Sequence, residues 1–252
     1  MKLTNLNILY INLKRRNDRK KFIEEQLNNM ELTYKRIDAI DALKFTDEQK
    51  KFYESRTNFN VLDKNKSQIY GKAACYLSHM KALKYAIDNK LDNVLIIEDD
   101  CVFLSDKSLK YNFDIPNDTH IYYLGGLFWP KEKPFNPDKQ LAKKKNIHID
   151  TNVFKLACAV AYIIPSHNIM CEIYNIMTTK MKKAVDMMYV THIQKKFPCY
   201  IHNPPLCLQS DFISDVTNVN KTTPKKPFNN EYFYVKDIDN QINARLFWKK
   251  YN

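Results

Sequence analysis

Residues 93–103 read NVLIIEDDCVF. Residues 94–97 form an unbroken apolar run; Glu98, Asp99 and Asp100 then set three carboxylates side by side before Cys101, Val102 and Phe103 return to apolar chemistry. A run this short, apolar at every position, predicts a strand buried on both faces. The flanking chain supports a sheet covered by helices. ILYINL at 8–13 reads as a buried first strand, and apolar residues at 22, 23, 27 and 30 give the spacing of a helix that Asn17 or Asp18 can cap. A second strand is expected over 33–40, and Thr46 with Gln49 forms a capping box for a short helix. GKAACYLSHMKALKYAIDNK at 71–90 carries the broadest apolar stripe in the chain.

Further strands are expected at 120–126, 153–165 and 199–206, with helices over 166–179 and 184–196. Beyond about residue 217 the pattern weakens to a possible strand in YFYVKDID and a helix in NARLFW. Strands alternating with helices predict an α/β fold: a Rossmann-like, mostly parallel central sheet flanked by helices, with functional residues at the carboxyl ends of strands. Residues 1–217 would form the main domain, with 218–252 an extension packed on it.

The 252 residues carry 40 Lys and Arg against 28 Asp and Glu, a net charge of +12 that suits an anionic partner. Much of that charge lies in runs such as 143–145 and 225–226 beside Pro and Asn, which read as solvated loops. No zinc-finger spacing or RNP-type aromatic motif accompanies them, so nucleic acid is not the expected partner. The six cysteines include no CxxC pair, and three lie in apolar segments, as expected of buried thiols in a reducing compartment. The N-terminus lacks the features of a signal peptide, and the longest apolar run, 156–165, is too short to cross a bilayer. A cytoplasmic protein with no transmembrane segment is expected.

Three adjacent carboxylates at a strand end repel one another unless a cation offsets them, and oxygen-only ligands suit Mg²⁺ or Mn²⁺. A solvated acidic turn is the alternative. The basic turn Lys14, Arg15, Arg16 and Arg19 tilts the balance, because cations at a helix N-terminus oppose its dipole. A pyrophosphate resting there would reverse that cost through bidentate Arg contacts.

Taken in order, the first strand with its basic turn (IYINLKRRNDR), the helix start GKAACYLSHMKAL and LIIEDDCVF resemble glycosyltransferase family 25, which includes lipopolysaccharide-type sugar transferases and procollagen galactosyltransferases. AVAYIIPSHN, AVDMMY and NPPLCLQSDFISDV agree more loosely, so the resemblance spans about residues 5–217. It implies a GT-A fold, a UDP-sugar donor, Mn²⁺ or Mg²⁺, and a glycan or glycoprotein acceptor. The triplet would be a variant of the DxD motif: Asp100 on the metal, Glu98 and Asp99 on the ribose or metal-bound water, Glu98 also a candidate metal ligand. Donor contacts would come from Ile11, Asn12, Leu13, Arg16, Arg19, Ser78 and His79. The resemblance does not extend to the second domain and ER-retention tail of the animal procollagen enzymes, so an ER-lumenal collagen enzyme is not expected, and hydroxylysine of a collagen-like chain stands as the alternative acceptor to a saccharide.

The resemblance implies an inverting transfer, which needs a base; Asp186, an acid among apolar residues, is the candidate, with a cap of its helix as the alternative. His79 on an apolar helix is either a satisfied core histidine or a donor-site residue. His202 is a candidate third metal ligand. Gln209, Asp211 and Asp215 are candidates for acceptor or donor contacts. Gly125 and Gly126 would let a sugar or phosphate approach the backbone, or form a plain turn. Trp129 would stack on a sugar face or sit at a core edge.

Overall fold

A computed structural model describes residues 3–56, 66–103, 114–130, 146–179, 182–203, 205–210 and 215–216. Strands β1 (Asn7–Asn12), β2 (Tyr34–Asp38), β3 (Val94–Glu98), β4 (Cys101–Phe103), β5 (Ile121–Tyr123) and β6 (Leu127–Pro130) come first. They are followed by β7 (Asn146–His148), β8 (Phe154–Ala157), β9 (Ala161–Ile164), β10 (Cys199–His202) and β11 (Cys207–Gln209). The helices are α1 (Asn17–Asn29), α2 (Asp47–Arg56), α3 (Lys66–Asp88), α4 (His167–Thr179) and α5 (Val185–Met188), the last running into a π-turn over Tyr189–Ile193.

Seven strands make the central sheet in the order β2-β1-β3-β9-β5-β10-β7. β2, β1, β3, β5 and β10 all run in one direction, whereas β9 and β7 are reversed. The expected α/β class, with a mostly parallel sheet flanked by helices, is therefore observed. β3 lies inside the sheet between β1 and β9, and all four residues of its apolar run are fully buried. Val94 and Ile96 pack on one side with Leu83 of α3 and Met170 of α4; Leu95 and Ile97 pack on the other with Ile23 and Leu27 of α1. Period-two side-chain direction thus feeds two separate cores from one strand.

The structure corrects the expected strand 153–165. It is two strands in different sheets: β8 pairs with β6, and β9 inserts antiparallel between β3 and β5. The break falls at Cys158, which holds φ at 71°, a left-handed conformation uncommon for a residue with a side chain. A two-stranded ribbon of β4 and β11 adds a short lip beyond β3. The expected cap of α1 also differs: Arg16 occupies the N-cap and no side chain bonds there, while Asp18 pairs with Arg16. The capping box is present, with Thr46 N–H donating to Gln49 Oε1 at 3.0 Å and Gln49 N–H to Thr46 Oγ1 at 3.2 Å. Residues 218–252, with their expected strand and helix, lie outside the described residues. Among the described residues no helix is long and apolar enough to cross a membrane.

Candidate functional site

Parallel strands deliver their carboxyl ends to one edge of the sheet, and the cleft lies there. In-register pairing sets Ile11 opposite Glu98, so Asn12, the last residue of β1, reaches the triplet. A cavity of about 110 Å³ is lined by residues of β1 and the turn after it, of α3, of the triplet, and by Gln209 and Asp215.

The three carboxylates have separate partners. Glu98 Oε1 meets His79 Nε2 at 2.9 Å and lies 3.8 Å from Cys75 Sγ. Asp99 accepts from Asn12 Nδ2 at 2.7 Å and from Arg19 at 2.9 Å. Asp100 is served least well: Oδ2 accepts from Gln209 Nε2 at 3.2 Å and touches Arg19 at 3.5 Å, while Oδ1 is buried without a hydrogen-bond partner. Burial, then the negative charges of Glu98 and Asp99, push the Asp100 carboxyl up to about 7 against the opposing pull of Arg19 and Gln209. Burial likewise raises Asp99, despite Arg19 and Asn12. For Glu98 burial acts upward too, but His79, Arg19 and Cys75 outweigh it and leave the carboxyl below its ordinary value.

Facing the acids is a basic group already engaged by a carboxylate of the chain. Asp215 takes a 2.7 Å ion pair from Arg15, a close one from Arg16, and a 3.8 Å contact from Arg19. Arg15 also pairs with Asp41 at 3.0 Å, and Arg16 with Asp18 at 2.7 Å. The segment carrying Asp215 seats on α3 at Gly71, where an added Cβ would lie 2.2 Å from the Val216 carbonyl oxygen.

The structure therefore brings Ile11, Asn12, Leu13, Arg19, Ser78, His79, Glu98, Asp99, Asp100, Gln209 and Asp215 together, with Arg16 joined through Asp215. Ser78 is pinned, its Oγ donating to the Ala74 carbonyl and accepting from Ile40 N–H. Asp186 does not line the cavity. Its Oδ2 accepts from Cys158 N–H at 3.3 Å, bracing the left-handed turn, and its Oδ1 from the first-turn Met187 N–H at 2.7 Å, although the N-cap position of α5 is Ala184. Burial still raises its carboxyl, with the charge of Glu98 adding to that shift and the two N–H donors opposing it.

Several residues stand elsewhere. His202 ends β10, separated from β3 by β5 and β9, with its ring edge-on to Tyr122 and outside the cavity lining. Gly125 and Gly126 are filled by the chain itself: a Cβ on Gly125 would meet the Cys207 carbonyl oxygen at 2.1 Å, and one on Gly126 the Leu156 side chain at 2.9 Å. Their bareness serves packing, not the approach of a ligand. Gly125→Ala should therefore cost about 3 kcal/mol by overpacking, read as a lowered midpoint in urea denaturation. Asp211 and the side chain of Trp129 lie outside the described residues. Cys75 and Asp41 were not anticipated; Cys75, four residues before His79, was the more legible, because that spacing shares a helix face.

The model of glycosyltransferase family 25 (LPS biosynthesis protein) matches residues 5–193, three-quarters of the chain. The chain belongs to this family. Two relatives of this family 25 chain are procollagen galactosyltransferase 2 of Mus musculus, 32% identical over 126 residues, and that of Homo sapiens, 34% identical over 98. The matches cover 47% and 38% of this chain but only 20% and 16% of the relatives, so the chain spans a fifth or less of their length. A solved glycosyltransferase involved in the glycosylation of the major capsid of PBCV-1 aligns over 79% of this chain and 81% of its own, at 9% identity and a TM-score of 0.41.

Proposed function

We propose that this family 25 chain is a GT-A-type, inverting glycosyltransferase that moves a hexose, galactose foremost, from a UDP-sugar to a glycan or glycoprotein acceptor with the aid of Mn²⁺ or Mg²⁺. The observation that carries the reading is the pairing, across one cleft, of a buried and under-partnered Asp100 with a three-arginine cluster. A hard cation fits the acidic side, since Asp100 Oδ1 is a buried oxygen lacking any hydrogen-bond partner and Glu98 is adjacent. Bound there, it would neutralise charge on the departing diphosphate.

The chain's own residues would supply the rest. Arg15, Arg16 and Arg19 hold the phosphate oxygens once Asp215 yields them. Asp99, held by Asn12 and Arg19, orients the ribose, and pinned Ser78 borders the nucleoside. Asp186 is the proposed base for the acceptor's proton: burial raises its carboxyl toward the range of a useful base, and since it lies outside the cavity lining the acceptor would have to reach it past the turn at Cys158. A hydroxylysine of a collagen-like chain is the second acceptor reading, favoured by the named activity of the two mammalian relatives. A domain that has lost turnover is disfavoured, because it would have no cause to retain two buried carboxylates beside a half-buried third that repels them.

The test is UDP release across a panel of UDP-sugars, with and without Mn²⁺, then product formation on saccharide and hydroxylysine peptide acceptors. Metal-dependent turnover of UDP-galactose is expected; no release or binding of any sugar nucleotide would sink the proposal. In the same assay Asp186→Asn should lower kcat by about 10²–10⁴-fold with little change in donor KM, and should remove the acid limb of the pH–rate profile. A loss confined to thermal stability would instead leave Asp186 with the turn at Cys158 alone.

A further inference from the structure

Three side chains in the cleft combine a thiol, an imidazole and a carboxylate, a set whose sulfur and ring nitrogen the oxygen-only cation site of the proposed function leaves unused. Cys75 and His79 project from one face of α3, four residues apart, and Glu98 closes on them from the end of β3. Their Sγ, Nε2 and Oε1 atoms all lie within 4.8 Å of one another, and all three residues line the cavity. Zinc bonds of about 2.0–2.3 Å in tetrahedral array hold ligand atoms about 3.3–3.5 Å apart. The observed Glu98–His79 and Glu98–Cys75 separations of 2.9 and 3.8 Å fall either side of that span.

We propose that Cys75, His79 and Glu98 bind a thiophilic divalent cation of the zinc type, with its fourth coordination position open to the cleft. The donor set separates this site from the neighbouring carboxylates. Asp99 and Asp100 offer only oxygen, which suits Mg²⁺ and Mn²⁺, whereas a thiolate and an imidazole turn the preference toward zinc and cobalt. Rigid elements hold all three ligands.

The surroundings of His79 supply what a metal-bound imidazole needs on its other nitrogen. Nδ1 lies 2.8 Å from the Tyr162 hydroxyl, which lies 2.9 Å from that of Tyr189, and all three side chains are buried. The tyrosine pair can donate in either direction. With the cation on Nε2, the ring proton resides on Nδ1, Tyr162 accepts it, and the Tyr162 hydroxyl donates onward to Tyr189. The Cys75 thiol proton leaves to solvent as the sulfur–metal bond forms. Glu98 loses its contact with the imidazole proton and gains the metal, so a zinc ion here competes for a carboxylate of the triplet.

Titrating the full chain with Co²⁺ tests the site independently of any glycosyl transfer. One equivalent should produce a thiolate-to-cobalt charge-transfer band in the near ultraviolet and tetrahedral d–d bands, both abolished by Zn²⁺. Cys75→Ser should remove the charge-transfer band, and His79→Gln should weaken binding at least about tenfold. Asp100→Asn and Cys171→Ser should retain the band; the second is needed because Cys171 Sγ also lies 3.8 Å from an imidazole nitrogen, on His167. On the unaltered protein, Zn²⁺ should slow iodoacetamide labelling of Cys75, read by peptide mass spectrometry, which removes any dependence on variant folding. Overturning results are the absence of a charge-transfer band at one equivalent, a band surviving Cys75→Ser, a band lost with Asp100→Asn or Cys171→Ser, or Cys75 labelling indifferent to Zn²⁺.

Discussion

Asp100→Asn should abolish metal-dependent UDP release, by about 10³-fold or more, and yet make the metal-free protein more stable at pH 8. The two effects share one cause. Asp100 is 6% exposed, repelled by Glu98 and Asp99, and its folded pKa of about 7 stands above the ordinary 3.8. The native state therefore keeps a proton through the window from about pH 4 to pH 7 that the unfolded chain has already released, and stability must fall as pH rises across it. That shift corresponds to about 4 kcal/mol at most, of which Asn should recover about 2–4 kcal/mol by presenting no charge. Asp99 and Asp186, also raised, slope the same way; Glu98, lowered, acts oppositely, contributing stability above its unfolded pKa that is lost as pH falls. Denaturant midpoints at pH 5.5 and 8, in chelator, would measure it. A variant no more stable than the parent at pH 8 would show that Asp100 is not charged at a cost there.

Arg19→Met should be the most destabilising single change in the site, at about 3–5 kcal/mol. The guanidinium is buried in α1 and contacts Asp99 at 2.9 Å and Asp100 at 3.5 Å. Methionine keeps much of the volume but strands two buried carboxylates, whose desolvation is then uncompensated. Adding Asp99→Asn to the variant should restore part of the loss, whereas a purely steric defect would not respond. Urea denaturation of the four species in a double-mutant cycle separates these outcomes.

The α/β class was readable because residues 94–97 are apolar on both faces, and the structure places those faces in two cores. The capping box at Thr46 and Gln49 was readable for the same local reason: its bonds span three residues. The division of 153–165 was not, since no glycine or proline marks Cys158 and the turn is imposed by tertiary contacts, Asp186 among them. β4 and β11 are three residues each, too short for a periodicity to register. In the site, residues at strand ends could be named in advance, because topology sends them to one edge. Their partners could not. Asp215 lies 199 residues from Arg16, and nothing local to either announces the ion pair. Gly125 shows the same limit: a bare backbone was legible as a place of close approach, but not by what.

The engagement of Asp215 by three arginines makes entry of an anion an exchange reaction. A newcomer does not meet free guanidinium groups; it must displace a carboxylate that already holds two short ion pairs and a longer contact. The net gain is the difference between the two anions, so a singly charged carboxylate or monoester gains little over the resident side chain. A ligand with two linked phosphates exceeds it in both charge and oxygen count. On the proposed function the cluster would act as a threshold, discriminating by how much negative charge arrives together, and would return the arginines to Asp215 once that charge departs.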